Sequence, residues 1–257
     1  MVPSGRRAYR LGCTSFVLRD HVLPNVEWLA GKVEDVQLLL VEPGEDLPTR
    51  EDVLRLKRIQ ELHGTSYTVH LPNLKAVPGP KRRESVEVLA SVIELTRPVS
   101  PRGWTLHVGP SPVAPDVDLA SWHDLAVTSV RELAALAGVP ATSLQVENLY
   151  AADLAPMRRL VEESGCRLCL DVGHVLMAKG SPHQAARDHL AVTDHIHLHG
   201  VADRDHRPLR HFPDLPGFLR VLDQGGFSGV LTVEVFGQED FESSWEACTR
   251  AVAGNAP

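Results

Sequence analysis

The chain lacks several features that would assign it to particular protein classes. Its 257 residues contain no run of eighteen apolar residues, which argues against a membrane-spanning helix. With 26 Lys and Arg against 33 Asp and Glu, it has no basic excess to displace counterions from duplex DNA, so a nucleic-acid partner is not expected. The four cysteines are too few and too scattered for a disulfide scaffold. The N-terminal MVPSGRRAYRLG lacks the apolar centre of a secretion signal, and we expect a cytoplasmic protein.

Eight short apolar runs of strand length are present, most of them apolar on both faces as buried parallel strands are. They cover 9–15, 35–42, 66–71, 103–109, 143–148, 167–174, 195–200 and 229–235. Helical patterns follow them at 25–32, 49–62, 85–96, 119–136, 153–164, 182–191, 215–224 and 243–252. Thr49, with Asp52 three residues later, is expected to cap the second helix.

This alternation predicts an α/β fold of one domain, a (β/α)₈ TIM barrel spanning residues 1–257. A doubly wound open sheet is the alternative. Such a sheet usually carries a glycine-rich phosphate loop after its first strand, and the sequence has none there.

Seven of the eight predicted strands end in His, Asp or Glu. These residues are Glu42, His70, His107, Glu147, Asp171 with His174, His197 with His199, and Glu234. In a barrel, the carboxyl ends of the strands converge on one rim, where burying several carboxylates without a cation is costly. Imidazole and carboxylate together suit Zn²⁺, Mn²⁺ or Fe²⁺, so the sequence predicts a divalent metal centre.

The histidine-rich stretch HIHLHGVADRDH, residues 195–206, divides into three parts. His195 lies too early in its strand to reach the rim and is expected to be structural. His197 is the expected metal ligand, and His199 is expected to contact the ligands or the substrate. His206 lies in the following loop, where either Asp203 or Asp205 could partner it.

Other polar groups have weaker signals. The Cys166-x-x-Cys169 pair has no second CxxC, and its side chains should face opposite sides of a strand, so packing is the favoured interpretation. Lys81, Arg82, Arg204 and Arg207 are candidates for binding a substrate phosphate, although a charge run such as 81–83 is more often a solvated face.

The motifs around Glu147-Asn148, Asp171-Val172-Gly173-His174, His197-Leu198-His199 and Glu234 resemble the xylose-isomerase-like barrel superfamily over essentially the whole chain. This superfamily includes sugar isomerases and epimerases as well as the endonuclease IV group of metal-dependent phosphodiesterases. The epimerase pattern implies one metal. Its ligand set would be Glu147, Asp171, His197 and Glu234.

The endonuclease IV pattern implies two or three metals. Glu147 would bridge two of them, with Asp171, His197 and Glu234 on one side and His70 and His107 on the other; His174 and His206 would serve a third metal or the phosphate. The pattern also has an Asp-x-His pair after strand seven. Here Asp205 and His206, both candidate metal ligands, are adjacent, which departs from that spacing.

Further stretches, among them TVHLP, CLDVGH and IHLHGVADRDH, resemble the phosphodiesterases of this superfamily that remodel cobamides. The resemblance implies a small-molecule substrate, a corrinoid whose nucleotide-loop phosphoester is hydrolysed to release cobinamide. It also implies catalytic roles for Glu147, Glu234 and His206, and a ligand or substrate role for Glu42. A sugar isomerase or epimerase, an endonuclease IV-like DNA repair enzyme and a noncatalytic corrinoid- or metal-binding module are the alternatives.

Overall fold

The computed structural model describes residues 7–40, 47–73, 82–109 and 118–254. Glu42 and Lys81, two of the sequence-predicted substrate contacts, lie outside these ranges.

Eight parallel strands form a closed barrel in sequence order, and the first strand pairs with the eighth. They are β1 (Arg10–Thr14), β2 (Asp35–Leu39), β3 (Ser66–His70), β4 (Trp104–Leu106), β5 (Leu144–Glu147), β6 (Arg167–Asp171), β7 (Thr193–Leu198) and β8 (Val230–Val233). The predicted (β/α)₈ barrel is therefore confirmed.

Helices surround the barrel in the part of the chain that the structure describes. They are α1 (Val22–Leu29), α2 (Arg50–His63), α3 (Arg82–Thr96), α4 (Leu119–Ala137), α5 (Ala155–Ser164), α6 (Val172–Met177), α7 (Pro182–His189), α8 (Leu215–Gln224) and α9 (Gln238–Gly254). None of these helices is long and apolar enough to cross a membrane. Thr49 caps α2 as predicted, and its reciprocal bonds with Asp52 complete a capping box.

Helix α6 corrects one sequence prediction, because 172–174 were assigned to the sixth strand. The strand instead ends at Asp171, whose Oδ1 accepts a hydrogen bond from the backbone N–H of His174 at 2.7 Å. This bond caps a new helix immediately after the strand. Asp171 and His174 are thereby held on one tight turn at the rim.

The strands have two different faces. The outer face is apolar and packs on the helices, with Val36, Leu106 and Ile196 among its fully buried side chains. The inner face is polar, as the hydrogen bond between Gln37 on β2 and His197 on β7 indicates. The prediction that most runs are apolar on both faces is therefore wrong. The buried interior tolerates polar residues because they hydrogen-bond across the barrel.

A β-bulge between β6 and β7 sets the direction of the histidine side chains of β7. The register between β6 and β7 shifts between Leu168 and Cys169, so that Leu168 pairs with Thr193 but Cys169 pairs with His195. Asp194 is the extra residue of this bulge. Beyond it, Asp171 pairs with His197, and both side chains reach the same buried cluster.

Candidate metal centre

The carboxyl ends of β3 to β8 bring six imidazoles and three buried carboxylates together at one rim. Among the described residues, overlapping triads have ligand atoms within 4.8 Å of one another. Four of them are His70/His107/Glu147, Glu147/Asp171/His197, Asp171/His174/His199 and His199/His206/Glu234. The structure thus assembles nearly all the sequence-predicted ligands in one place.

Glu147 lies at the centre of this cluster. Its Oε2 is 3.1 Å from Nε2 of His70 and 3.3 Å from Nε2 of His107. The same oxygen is 3.5 Å from Nδ1 of His197, and Oε1 is 3.4 Å from Nδ1 of His174. One carboxylate therefore stands between donors from opposite sides of the barrel.

His197 and Glu234 supply a test of whether a cation fits. Nδ1 of His197 lies 3.0 Å from Oε2 of Glu234, yet both atoms are buried without a hydrogen-bond partner. Orphaned buried atoms of this kind are costly unless another group satisfies them. On the far side of the ring, Nε2 of His197 is 2.8 Å from the side-chain amide of Gln37.

The amide of Gln37 indicates which nitrogen of His197 is available. Its Nε2 is assigned next to the ring, while its Oε1 is buried without a partner. Exchanging the two amide atoms would let Oε1 accept the Nε2–H of His197 and satisfy both groups. Nδ1 would then carry a lone pair directed at Glu234, as a metal ligand requires.

A backbone carbonyl fixes the tautomer of His70. Its Nδ1 is 2.9 Å from the carbonyl oxygen of Leu71, which can only accept, so Nδ1 carries the proton. Nε2 then has a lone pair facing the carboxylate of Glu147. Two lone pairs at 3.1 Å repel each other unless a proton or a metal ion lies between them, so this donor pair can hold a divalent metal.

Hydrogen bonds from neighbouring residues fix Asp171 and His174. The side chain of Asn148 donates to the carbonyl of Asp171 at 2.9 Å and accepts from its backbone N–H at 2.8 Å. The carbonyl oxygen of Asn148 accepts a hydrogen bond from Nδ1 of His174 at 2.9 Å. The proton of that ring is therefore on Nδ1, and its lone pair is on Nε2. Two residues of the rim are therefore oriented by the residue that follows Glu147.

His199 is placed differently from His197. The backbone N–H of His206 donates to Nδ1 of His199 at 2.9 Å, so the proton of this ring lies on Nε2. That proton points at Asp171, whose Oδ1 is 3.2 Å away. His199 therefore orients a ligand and has no free lone pair. A Cβ at Gly173 would lie 1.9 Å from this ring, which explains the glycine between Asp171 and His174.

The two aspartates of the loop after β7 have different partners. Asp205 Oδ1 lies 3.1 Å from Nδ1 of His206, and its Oδ2 accepts a hydrogen bond from the hydroxyl of Tyr150 at 2.8 Å. Asp203 is exposed and pairs with Arg207 instead. Asp205 is thus the partner of His206, but it belongs to none of the ligand triads in the described part of the chain.

Strained backbone occurs in the loops that follow β5 and β7. Tyr150 has φ +37° and His206 has φ +52°, conformations that non-glycine residues rarely adopt. Such strain persists only where surrounding contacts enforce it, and it concentrates at functional sites. Here Asp205 bridges the two strained residues.

Opposite charges determine the ionisation of the cluster. Burial opposes ionisation of Glu147, Asp171 and Glu234, but nearby imidazoles outweigh it and hold the pKa of each carboxyl below its ordinary value. Burial would likewise lower the pKa of His206, yet Glu234 and other acidic neighbours raise that pKa to about 9. The carboxylates therefore need positive charge, which either protons on imidazoles or metal ions can supply.

A cavity of about 490 Å³ opens above the cluster. His70, His107, Glu147, His174, His206 and Glu234 line its polar floor. Phe16 and Tyr150 stand partly exposed at its mouth, and the ring of Phe236 stacks on His206 with centroids 4.7 Å apart. The site therefore combines a metal-binding floor with aromatic walls.

Other sequence-predicted substrate contacts do not line this cavity. Arg82 pairs with Glu132 of α4 and lines a groove between α3 and α4. Arg204 donates to the carbonyl of Asp205. Arg207 is held by its ion pair with Asp203.

The two cysteines of the CxxC pair lie in different surroundings. Cys166 lies beside the hydroxyl of Ser164. Cys169 lies inside the barrel, within reach of His195 and His197. Sequence reasoning assigned both to packing and therefore missed the position of Cys169 next to a rim histidine.

Gln37 and Tyr150 were also missed. A polar residue in the otherwise apolar run VQLLL signalled that one face of β2 is polar. Tyr150 carried no comparable signal, because its partner Asp205 is 55 residues away.

Comparison with known proteins identifies the fold family. A D-tagatose 3-epimerase-like protein superposes with a TM-score of 0.79 at 18% identity, covering 95% of this chain and 97% of that chain. Endonuclease IV from Thermus thermophilus gives 0.76 at 18% identity, with 95% and 99% covered. D-psicose 3-epimerase from Clostridium cellulolyticum gives 0.73 at 14% identity, with 95% and 97% covered.

No curated protein matches the sequence. The model of one protein family matches residues 32–251, which is most of the chain. This match, together with the closed eight-stranded barrel, shows that the chain belongs to the xylose isomerase-like TIM barrel family.

Proposed function

We propose that the chain is a phosphodiesterase that depends on two or more divalent metal ions. The position of Glu147 carries this proposal. Its Oε2 lies close to His70 and His107 on one side and to His197 on the other. A carboxylate shared between two donor groups is suited to bridging two cations, and paired cations are typical of phosphodiester hydrolysis.

His70, His107 and Glu147 would hold one metal, and Glu147, Asp171, His197 and Glu234 would hold the other. Bound there, divalent metal supplies positive charge to the phosphate oxygens and lowers the pKa of water. Gln37 and Asn148 orient His197 and Asp171 of the second group. Phe16 and Phe236 cover one side of the cluster and limit its access to water.

For the substrate, we propose the nucleotide-loop phosphodiester of a cobamide. The stretches TVHLP, CLDVGH and IHLHGVADRDH, which resemble cobamide-remodelling phosphodiesterases, support this choice. The aromatic mouth formed by Phe16, Tyr150 and Phe236 suits a ligand with a planar base. The net charge of −7 disfavours duplex DNA, the substrate suggested by the name of one structural neighbour.

The test uses purified protein whose metal content is measured by elemental analysis. It is supplied in parallel with a cobamide, a duplex containing an abasic site, and D-psicose, and the products are separated by chromatography. We expect two or more equivalents of metal and cleavage of the cobamide phosphoester. Faster cleavage of abasic DNA would refute the substrate, and interconversion of the sugar without phosphodiester cleavage would refute the reaction.

A single-metal sugar epimerase is the second candidate, favoured by the presence of Glu147, Asp171, His197 and Glu234 at one rim. The two functions make different demands on His107. In the phosphodiesterase, His107→Ala removes a metal ligand and should lower the metal stoichiometry. In the epimerase, the same variant should retain its single metal.

A further inference from the structure

A second cavity, of about 940 Å³, opens at the opposite end of the barrel from the metal centre. Its walls include Gln145 near the start of β5, Arg167 at the start of β6 and Thr193 at the start of β7. Arg102, which precedes β4, and Arg187 of α7 complete its charged lining. The function proposed above uses none of these residues.

This cavity is positively charged. Its lining carries three arginines and one acidic residue, Asp194, which pairs with Arg167 at 2.8 Å. The exposed guanidiniums of Arg102 and Arg187 make no ion pair or hydrogen bond within the described ranges. Two guanidiniums without a direct acidic partner in one cavity of a chain with net charge −7 create a local field that attracts anions.

Gln145 provides an independent indication of a ligand. The residue is only 2% exposed, and its Oε1 lies 3.2 Å from Nδ1 of His195 and 3.3 Å from the hydroxyl of Thr105. Its Nε2 has no acceptor among the described residues, and the side chain lines the cavity. This nitrogen is open to the cavity, so it is available to an acceptor there.

The number of donors distinguishes between possible anions. Three guanidiniums and an amide offer more N–H groups than the two oxygens of a carboxylate can accept, whereas a phosphomonoester presents three terminal oxygens. The opposite wall is apolar, with Leu190, Val221 and Phe227. Volumes of several hundred Å³ are typical of sites for small organic ligands.

We infer that this cavity binds a phosphomonoester of about nucleotide size. The phosphate would lie against Arg102, Arg167, Arg187 and the amide of Gln145, and the organic part would lie against the apolar wall.

The test is calorimetric titration of EDTA-treated protein in phosphate-free buffer, with adenosine 5′-monophosphate and inorganic phosphate as probes. We expect one saturable site, with the nucleotide binding more tightly than inorganic phosphate. Arg102→Ala and Arg187→Ala should each weaken binding by about tenfold, because each removes charge-assisted hydrogen bonds. The control Arg58→Ala removes an exposed arginine of α2, outside this cavity, and should leave binding unchanged.

The arginine variants also locate the site, since a phosphate bound at the metal centre would not respond to them. Absence of saturable binding, or equal binding by the wild type and the Arg102/Arg187 double variant, would overturn the inference. Nucleotide binding no tighter than inorganic phosphate would overturn the assignment of an organic ligand. Because metal-free protein is used, these outcomes are independent of phosphodiesterase activity.

Discussion

The barrel interior contains two polar layers built from similar residues but with different pairing. In the lower layer, the carboxylate of Asp35 accepts hydrogen bonds from the hydroxyls of Ser66 at 2.5 Å and Thr68 at 2.9 Å. At the rim, His197 Nδ1 and Glu234 Oε2 are equally buried but lack partners. Residue type and burial therefore do not distinguish the two layers. The unpartnered pair of His197 and Glu234 marks the place at the rim where a cation fits.

The acidity of the carboxyls follows the same division. Burial raises the pKa of Asp35, because hydroxyl donors and distant arginines compensate only in part. For Glu147, the charges of His197 and His107 outweigh burial, and the pKa falls well below its ordinary value. The lower layer is thus self-sufficient, while the rim depends on added positive charge.

The largest expected effect compares the two carboxylates directly. Glu147→Gln should abolish stoichiometric metal binding and reduce turnover by more than about a hundredfold, because losing a ligand should exceed the roughly 10–100-fold cost of losing an outer partner. Asp35→Asn makes the same chemical change one layer lower and should retain the metal. Elemental analysis and kcat/KM of both proteins test this pair. Equal metal loss in both variants would remove the distinction between the layers.

The histidines provide the next comparison. His195 lies 2.7 Å from the hydroxyl of Thr232 and also contacts Thr105 and Gln145, so His195→Ala leaves a cavity and unpaired buried groups. We expect the free energy of unfolding to fall by about 2–4 kcal/mol. The folded fraction should still bind metal. His197→Ala should instead lose the metal, so chemical denaturation combined with metal analysis separates the two.

The sequence was sufficient to predict the barrel and most of the rim. Alternating apolar runs and helical patterns identify a (β/α)₈ barrel, and the barrel brings strand-end residues such as His70 and Glu234 together. The failures were the polar inner face of the strands, one tight turn and the long-range contacts. Residues 172–174 were assigned to a strand because an apolar run can equally continue a strand or begin a capped helix.

Partners across the barrel could not be predicted from the sequence. Gln37 contacts His197 over 160 positions, and only a three-dimensional register reveals such a pair. The adjacent Asp205 and His206 left the choice between Asp203 and Asp205 open. The loop conformation decides it, with His206 in a left-handed conformation that turns its ring toward Asp205 and Glu234.

A smaller effect is expected for the residue that orients His197. Gln37→Leu removes the hydrogen-bonding partner of Nε2, so the ring loses its fixed tautomer and orientation. Metal affinity should fall by about 10–100-fold without loss of stoichiometry at saturating metal. Gln145→Leu is the matched control, because it makes the same substitution beside His195, and it should leave metal affinity unchanged. Competition with a chromogenic chelator measures both variants.

The smallest expected effect concerns pH. His206 has a folded pKa of about 9 against an ordinary 6.5, so its stabilising contribution is complete below pH 6.5 and is lost as pH rises through 9. The melting temperature of EDTA-treated protein should therefore fall by a few degrees between about pH 6.5 and 9.5. His206→Gln should flatten this slope. Metal should reverse it, because imidazoles bind metal only after losing their protons, so binding tightens as pH rises. A metal-free protein equally stable at both pH values would show that bound protons do not neutralise the rim.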